Sequence, residues 1–277
     1  MTLKEAQNRA FELLCVIDDI CRKEGIRYFL DGGTEIGAVR EKDIIAWDDD
    51  VDIQLRQEDY PAFKKAMEEN LPEYYRVLEP AEFAPRFYDF LVRVIDTRYH
   101  LREEKEEDRY YDNKQNYLGI DVFLHFRVPK NTVGKLGAFL HLRTLYGLGM
   151  AHRFKLDYSQ YHLPEKIAVN CFRIIGKPFS VKFIYRRMNA VVARLNRKET
   201  GIRLSNHLRW SQQHPTEWTD ETAYGEIRGR KFPIPAGYDQ ELTMYYGDYM
   251  KPPKDLSTFI WHLEETERYP GNPSEKA

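Results

Sequence analysis

Cysteine is scarce in this chain of 277 residues, which contains only Cys15, Cys21 and Cys171. None of them forms a CxxC pair, and an odd number leaves one thiol over. This argues against a disulfide framework and against a zinc site built from cysteines. The sequence therefore indicates a reducing compartment, and a chain of this length can bury a sufficient core without disulfides.

Long apolar runs are also absent. No window reaches about 18 uninterrupted apolar residues, the length that a membrane-spanning helix needs. Residues 1–5 are polar where a signal peptide requires an apolar stretch. We therefore expect a cytoplasmic protein that does not cross a membrane. Because 42% of the residues are hydrophobic and 14% aromatic, broad disorder is excluded as well.

The net charge of −2 conceals a strong asymmetry along the chain. Residues 122–210 carry 17 Lys and Arg against 3 Asp and Glu, a net charge of +14, which leaves −16 for the remainder. This pattern predicts an acidic region that holds cations and a basic region that contacts phosphates. The alternative is that the basic side chains are only the solvated faces of helices.

The spacing of apolar residues predicts alternating helices and strands in the first half of the chain and mainly helices after residue 129. The predicted helices of these two parts include 4–23, 35–41, 59–69, 136–150, 165–175 and 181–196. The predicted strands are 26–30, 51–55, 90–95 and 119–126. We expect an α+β protein with a catalytic core over 1–128 and a helical basic lobe with a C-terminal closing segment over 129–277. The charge-dense stretch 102–114 is predicted to be an exposed loop or a solvated helix.

Four aspartates fall within the five residues 48–52. Like charges at this spacing repel one another, so a divalent cation is the economical explanation. In a strand, Asp50 and Asp52 lie on one face and can hold a hard ion such as Mg²⁺ or Mn²⁺. Asp121, a single acid in an apolar strand, completes the set if the two strands are neighbours. The alternatives are a hydrated surface loop for the acid run and a hydrogen-bonded structural acid for Asp121.

A glycine turn precedes the acid run. Gly32, Gly33 and Thr34 follow a predicted strand and offer backbone N–H groups and a hydroxyl to an anion. Arg40 is within reach of the same anion if 35–41 is helical. Phosphate donors opposite metal-holding carboxylates are what phosphoryl transfer requires. A plain turn is the alternative.

These segments closely resemble the signature of the LicD family, phosphocholine transferases of surface glycans that are related to the fukutin group. The matching stretches read LDGGT at 30–34, GAVR at 37–40 and WDDDVDI at 47–53, with YGDYM at 246–250. Asp43 and Ala46 depart from the pattern, which has glycine and proline there.

The resemblance implies a nucleotidyltransferase-like mixed β-sheet with flanking helices. It implies three catalytic carboxylates that bind Mg²⁺ or Mn²⁺: Asp50, Asp52 and Asp121. The donor phosphates would be cradled by Gly32, Gly33 and Thr34. The implied reaction moves phosphocholine, or a related alcohol phosphate, from a CDP-alcohol such as CDP-choline to a sugar hydroxyl of lipopolysaccharide or teichoic acid and releases CMP.

An acceptor glycan carried on a lipid would bring such an enzyme to the inner face of the membrane. The basic residues of 177–198 are then the predicted contact with anionic head groups; a helix packed on the core with its basic face in water is the alternative. A choline head group favours an aromatic cage, for which Tyr28, Trp47, Tyr246 and Tyr249 are candidates, although each of these rings also suits ordinary packing.

Two other functions fit part of the pattern. The acid run also suits the DxD motif of a nucleotide-sugar glycosyltransferase, but the glycine turn about sixteen residues upstream favours a nucleotidyltransferase-type site. The basic segment also suits a nucleic-acid-binding module, but it contains no recognisable reader motif. We therefore expect no nucleic-acid partner.

Overall fold

The computed structural model describes residues 1–156, 158, 161–253, 256 and 262–263. Over these residues the helices are α1 (Leu3–Glu24), α2 (Gly32–Ile36), α3 (Tyr60–Asn70), α4 (Glu106–Tyr110), α5 (Thr132–Gly149), α6 (Leu163–Ile175), α7 (Val181–Asn196) and α8 (Tyr238–Tyr246). The strands are β1 (Phe29–Leu30), β2 (Asp52–Arg56), β3 (Tyr75–Leu78), β4 (Val92–His100), β5 (Tyr117–Arg127), β6 (Ile202–Ser205), β7 (Gln213–Pro215), β8 (Thr222–Ile227) and β9 (Arg230–Pro235). A π-helical turn, Gly37–Glu41, continues α2.

Helix α1 has clear end signals in the sequence. The Thr2 hydroxyl accepts the Glu5 N–H, and the Glu5 carboxylate accepts the Thr2 N–H, so two otherwise unpaired donors are satisfied. The helix ends at Gly25, whose φ of +66° is a conformation that glycine adopts without strain. Leu13, Leu14 and Ile17 are fully buried on its apolar side. The predicted opening helix is confirmed.

A mixed sheet forms the centre of the molecule. Its strand order is β1-β2-β5-β4-β3, and β6 adds to β5 and carries β7 at its other edge. Strands β2 and β5 are parallel, and their register places Asp52 beside Asp121. The other pairs of this sheet are antiparallel. The α+β class and the mixed sheet with flanking helices are confirmed, as are strands at the predicted positions of the two acid-bearing segments.

The second half of the chain supplies both the basic helices and part of the sheet. Helices α5, α6 and α7 occur where the sequence predicts them, and α5 and α7 pack around Leu142, Ile184 and Val192. Strands β6 and β7 nevertheless join the central sheet, and the β8–β9 hairpin packs Phe232 against the core that includes α1. The proposed boundary between 1–128 and 129–277 stays a prediction.

The charge-dense stretch 102–114 differs from expectation at two residues, Asp108 and Tyr111, which are buried. Asp108 is fully buried in α4, so the prediction of a solvated segment is wrong there. Its carboxylate accepts hydrogen bonds from Arg102 (2.9 Å), from the Lys105 N–H (2.9 Å) and from Gln115 (2.6 Å). These donors compensate for the loss of water, which explains how an acid is tolerated inside this segment.

Candidate active site

The acid run lies at the start of β2 and opens into a cavity of about 540 Å³. Val51 and Ile53 are buried in the core, while Asp50 and Asp52 alternate with them and line the cavity. Asp121 lines the same cavity because β5 lies beside β2 in register. The structure therefore brings together all three carboxylates that the sequence singles out.

The cavity is strongly acidic near these strands. Burial and the neighbouring Asp50 and Asp121 raise the pKa of Asp52 well above its ordinary value. Burial and Asp50 act in the same direction on the pKa of Asp48, which also lines the cavity. Such carboxylates need positive charge to remain ionised. Their oxygens fit a hard divalent cation, and the role of Asp50, Asp52 and Asp121 as its ligands stays a prediction.

Asp121 is held by an arginine that the sequence argument missed. Arg93 Nε lies 2.7 Å from Asp121 Oδ1, and the same guanidinium donates to the carbonyls of Gln115 (2.9 Å) and Tyr117 (3.2 Å). Register places Arg93 directly opposite Asp121 on β4. The sequence signal for this role was a single arginine within the otherwise apolar predicted strand 90–95.

Asp49 and the C-terminal segment form a second unpredicted contact. Asp49 accepts the N–H groups of His262 (2.7 Å) and Leu263 (2.8 Å), and His262 Nδ1 lies 3.1 Å from Asp49 Oδ1. Burial disfavours the imidazolium, but the hydrogen bond to Asp49 and the negative charges of Asp50, Asp49 and Asp121 together outweigh it and raise the pKa of His262 to about 9. His262 lines the cavity, and its Nδ1 is also 3.7 Å from Asp50 Oδ2. Asp49 thus anchors a distant segment and brings a cation to the carboxylates.

The glycine turn approaches the acid run closely. Gly32 has a φ of +53°, and its N–H donates to Asp31 Oδ1 at 2.9 Å. A Cβ at Gly33 would clash with Asp48 Oδ2, so a larger residue there requires the Asp48 side chain to move. Gly33 lines the cavity, whereas the N–H of Gly32 is already used by Asp31. The phosphate-binding role of both glycines stays a prediction.

Thr34 positions Asp52. It is 2% exposed, and its hydroxyl accepts the Asp52 N–H at 2.8 Å. Its role as a phosphate ligand stays a prediction. We expect Thr34→Val to lower the free energy of unfolding by about 1–3 kcal/mol because the Asp52 N–H loses its partner. Thr34→Ser, which keeps the hydroxyl, is the matched control in urea unfolding; equal losses in both variants would contradict this role.

Arg40 lines the cavity and has one unpaired donor nitrogen. Its side chain is 9% exposed, Nη1 donates to the Tyr249 carbonyl at 2.6 Å, and Nε donates to Glu41 at 2.7 Å. Nη2 is buried without a partner among the described residues. A guanidinium fixed at two nitrogens and unsatisfied at the third is suited to bind an anion such as phosphate.

Aromatic side chains form another part of the cavity wall. Trp47, Tyr246 and Tyr249 line it, together with Asp248. Tyr28 does not: it is buried in the N-terminal core and donates to Asp18 at 2.9 Å. The prediction that Tyr28 contributes to an aromatic cage is therefore wrong, because its ring packs in the core that includes α1 and does not line the cavity.

Comparison with known proteins agrees with this geometry. The family model described as "LicD/FKTN/FKRP, nucleotidyltransferase domain" matches residues 25–144, the part that contains the glycine turn and all three carboxylates. A protein of Haemophilus influenzae, the lipopolysaccharide cholinephosphotransferase LicD, is 27% identical over 96% of this chain and 97% of its own length. An uncharacterized protein of Rickettsia prowazekii is 27% identical over 46% of this chain and 52% of its own length.

The family match covers the site, and the Haemophilus relative extends the similarity to nearly the whole chain. Both agree with a mixed sheet whose parallel strands hold paired acids. The LicD-type nucleotidyltransferase model thus covers residues 25–144 of this chain, and the chain is an enzyme of the transferase class.

Proposed function

We propose that this enzyme transfers a substituted phosphate, phosphocholine in the first place, from a CDP-alcohol to a sugar hydroxyl of lipopolysaccharide or a similar surface glycan, with release of CMP. The observation that carries the proposal is one cavity lined both by the carboxylates of Asp50, Asp52 and Asp121 and by Arg40, whose Nη2 is buried without a partner among the described residues. The name of the Haemophilus relative supports the choice of phosphocholine and lipopolysaccharide.

Each part of the cavity has a task in this reaction. Asp50, Asp52 and Asp121 would hold Mg²⁺ or Mn²⁺, which supplies neutralisation of the phosphate charge. Arg40 Nη2 binds a phosphate oxygen of the donor, and Gly33 leaves room for the donor beside Asp48. Arg93 and Thr34 keep Asp121 and Asp52 in place. The acceptor hydroxyl loses its proton to solvent and its oxygen bonds to the phosphorus that carries the alcohol. The P–O bond to CMP breaks, and CMP departs with the electron pair of that bond.

The aromatic wall favours choline among the alcohols. Trp47, Tyr246 and Tyr249 present ring surfaces to the cavity, and Asp248 adds a negative charge. A quaternary ammonium group is attracted both by aromatic faces and by a carboxylate. Ribitol and glycerol carry hydroxyl groups instead and gain little from such a wall.

The reaction class is tested by CMP release from CDP-choline, CDP-ribitol, CDP-glycerol and CDP-ethanolamine, with Mg²⁺ or Mn²⁺ and a mixed glycan acceptor. We expect release from CDP-choline above the other donors and none after chelation of the metal. If no donor turns over, calorimetry of CDP-choline binding follows, since a missing acceptor also stops turnover. Absence of metal-dependent binding as well would overturn the proposal.

We further propose that the enzyme works as a peripheral protein at the inner face of the membrane. No helix among the described residues has the length and apolarity required to cross a bilayer. In α7 the apolar Ile184 and Val192 are buried, while Lys182, Arg186 and Arg187 are exposed. Helix α6 adds exposed apolar side chains: Leu163, Ile167, Ile174 and Ile175. Cationic and apolar side chains together are typical of interfacial helices.

Flotation with vesicles tests the membrane proposal. We expect binding to vesicles that contain anionic lipid at low ionic strength, with loss of binding as salt rises above about 0.15 M. Reversing Lys182, Arg186 and Arg187 to glutamate should weaken it at least about tenfold, since each basic residue contributes roughly 1 kcal/mol. Reversal of three exposed lysines outside this region, Lys4, Lys65 and Lys231, is the control. No flotation at low salt, or equal loss in both variants, removes the idea.

A further inference from the structure

A second group of carboxylates lies outside the active-site cavity. Oxygens of Asp31, Glu35 and Glu241 all fall within 4.8 Å of one another. Asp31 is 8% exposed, and the two glutamates are fully buried. None of the three lines the cavity described above. The group joins the β1–α2 junction to α8, two parts of the chain separated by about 200 residues of sequence.

These carboxylates are only partly satisfied by the protein. Glu241 Oε1 accepts from Gln54 Nε2 at 2.9 Å, and Asp31 Oδ1 accepts the Gly32 N–H at 2.9 Å. Both oxygens of Glu35 and Oε2 of Glu241 are buried without a hydrogen-bond partner among the described residues. Unpaired buried carboxylates are costly, so this arrangement calls for a compensating charge.

A buried histidine beside the carboxylates independently indicates that the compensating charge is a metal ion. His214 is 1% exposed, and its Nδ1 lacks a partner in the described part of the chain. Nδ1 lies 3.7 Å from Glu241 Oε2, too far for a hydrogen bond. Its other nitrogen, Nε2, is 3.2 Å from His125 Nδ1, which fixes the ring. An oriented imidazole nitrogen thus faces the acidic group without bonding to it.

We propose that Asp31, Glu35 and Glu241, together with His214, bind a divalent transition-metal ion at this second site. Three carboxylate oxygens and one imidazole nitrogen are a donor set for Zn²⁺ or Mn²⁺ more than for Mg²⁺, which prefers oxygen and water. Gln54 and His125 then act as the outer partners that orient a carboxylate and the imidazole. The three carboxylate atoms, which lie within 4.8 Å of one another, need only a small contraction to surround an ion at about 2.1 Å, and His214 Nδ1 reaches it from its position 3.7 Å from Glu241 Oε2.

An ion at this site would connect the glycine turn to α8. Asp31 and Glu35 flank the turn that carries Gly33, and Glu241 lies on α8, which ends at Tyr246 in the wall of the cavity. The ion would link these two elements through its ligands. It is a structural ion, separate from the cation proposed for Asp50, Asp52 and Asp121.

Counting bound metal tests this site independently of transfer activity. The protein is stripped with a chelator, loaded with Zn²⁺ or Mn²⁺, dialysed and analysed by plasma mass spectrometry, with thermal unfolding in parallel. The double variant Asp50→Asn/Asp52→Asn disables the cavity, and we expect it to retain one ion and to gain at least about 5 °C in Tm from it. Addition of the isosteric pair Glu35→Gln/Glu241→Gln to the Asp50→Asn/Asp52→Asn protein is expected to remove that ion and that gain.

Two outcomes overturn the proposal. One is an Asp50→Asn/Asp52→Asn protein that retains no ion and shows no change in Tm, which means that protons neutralise the cluster. The other is a protein with all four changes, Asp50→Asn, Asp52→Asn, Glu35→Gln and Glu241→Gln, that still retains the ion. If the protein that carries Glu35→Gln and Glu241→Gln fails to fold, the metal content of the Asp50→Asn/Asp52→Asn protein decides alone. Its buried carboxylate cluster is intact.

Discussion

Asp52→Asn is expected to lower kcat on the order of 10³-fold, the size of loss seen when one strong electrostatic contact to a transition state is removed. The same change should raise the Tm of the metal-free protein by about 2–4 °C, corresponding to ~1 kcal/mol. Burial and the charges of Asp50 and Asp121 oppose ionisation of Asp52, and asparagine relieves that repulsion at nearly the same shape. Steady-state kinetics and thermal unfolding with a chelator measure the two effects.

The repulsion at Asp52 also predicts how the stability of the metal-free protein changes with pH. The folded-state pKa of Asp52 lies above its unfolded value of about 3.9, so the folded state retains the proton longer. The stability of the metal-free protein should therefore fall as pH rises from about 4 towards the folded-state pKa, and less steeply in the variant. Asp112→Asn, at an exposed carboxylate, is the control and should leave both activity and slope unchanged. Full activity in Asp52→Asn contradicts the assignment.

Arg93→Met should reduce the free energy of unfolding by about 3–5 kcal/mol, the usual cost of leaving one partner of a buried ion pair alone. The arginine side chain is 11% exposed and bonds Asp121 at 2.7 Å as well as two backbone carbonyls. Methionine fills a similar volume but satisfies none of these acceptors. Urea unfolding of wild type and variant gives the difference directly.

Arg76→Met provides the comparison for this prediction. Its ion pair with Glu82 has side chains that are 39% and 38% exposed, and such surface pairs contribute about 0–1 kcal/mol. The double variant Arg93→Met/Asp121→Leu should recover part of the loss because no carboxylate is left uncompensated. A loss in Arg93→Met no larger than in Arg76→Met would contradict the view that Arg93 sustains Asp121.

The sequence predicts the site's carboxylates better than the groups that hold them. Alternation along 50–55 places Asp50 and Asp52 on one face, and a lone acid in an apolar strand marks Asp121. Periodicity reports which face of a strand a side chain occupies, but not which side chain lies across the sheet. The contact between Arg93 and Asp121 depends on the β4–β5 register and was therefore not predicted.

Contacts between segments that are distant in sequence were even harder to predict. His262 reaches Asp49 across 213 positions, and Glu241 meets Glu35 across about 200. No local pattern encodes either contact, because each depends on where α8 and His262 lie in the folded chain. The same reason explains Thr34: its spacing suggests an anion ligand, while packing directs its hydroxyl to the Asp52 N–H.

The most direct test of the account is mass analysis of the acceptor after incubation of isolated lipopolysaccharide with this enzyme, CDP-choline and a divalent cation. The account predicts that the glycan gains one phosphocholine group for each CMP released, and that Asp52→Asn produces neither. A glycan that stays unchanged with every CDP-alcohol but gains a sugar from a nucleotide sugar would contradict it and assign the acid run to glycosyl transfer.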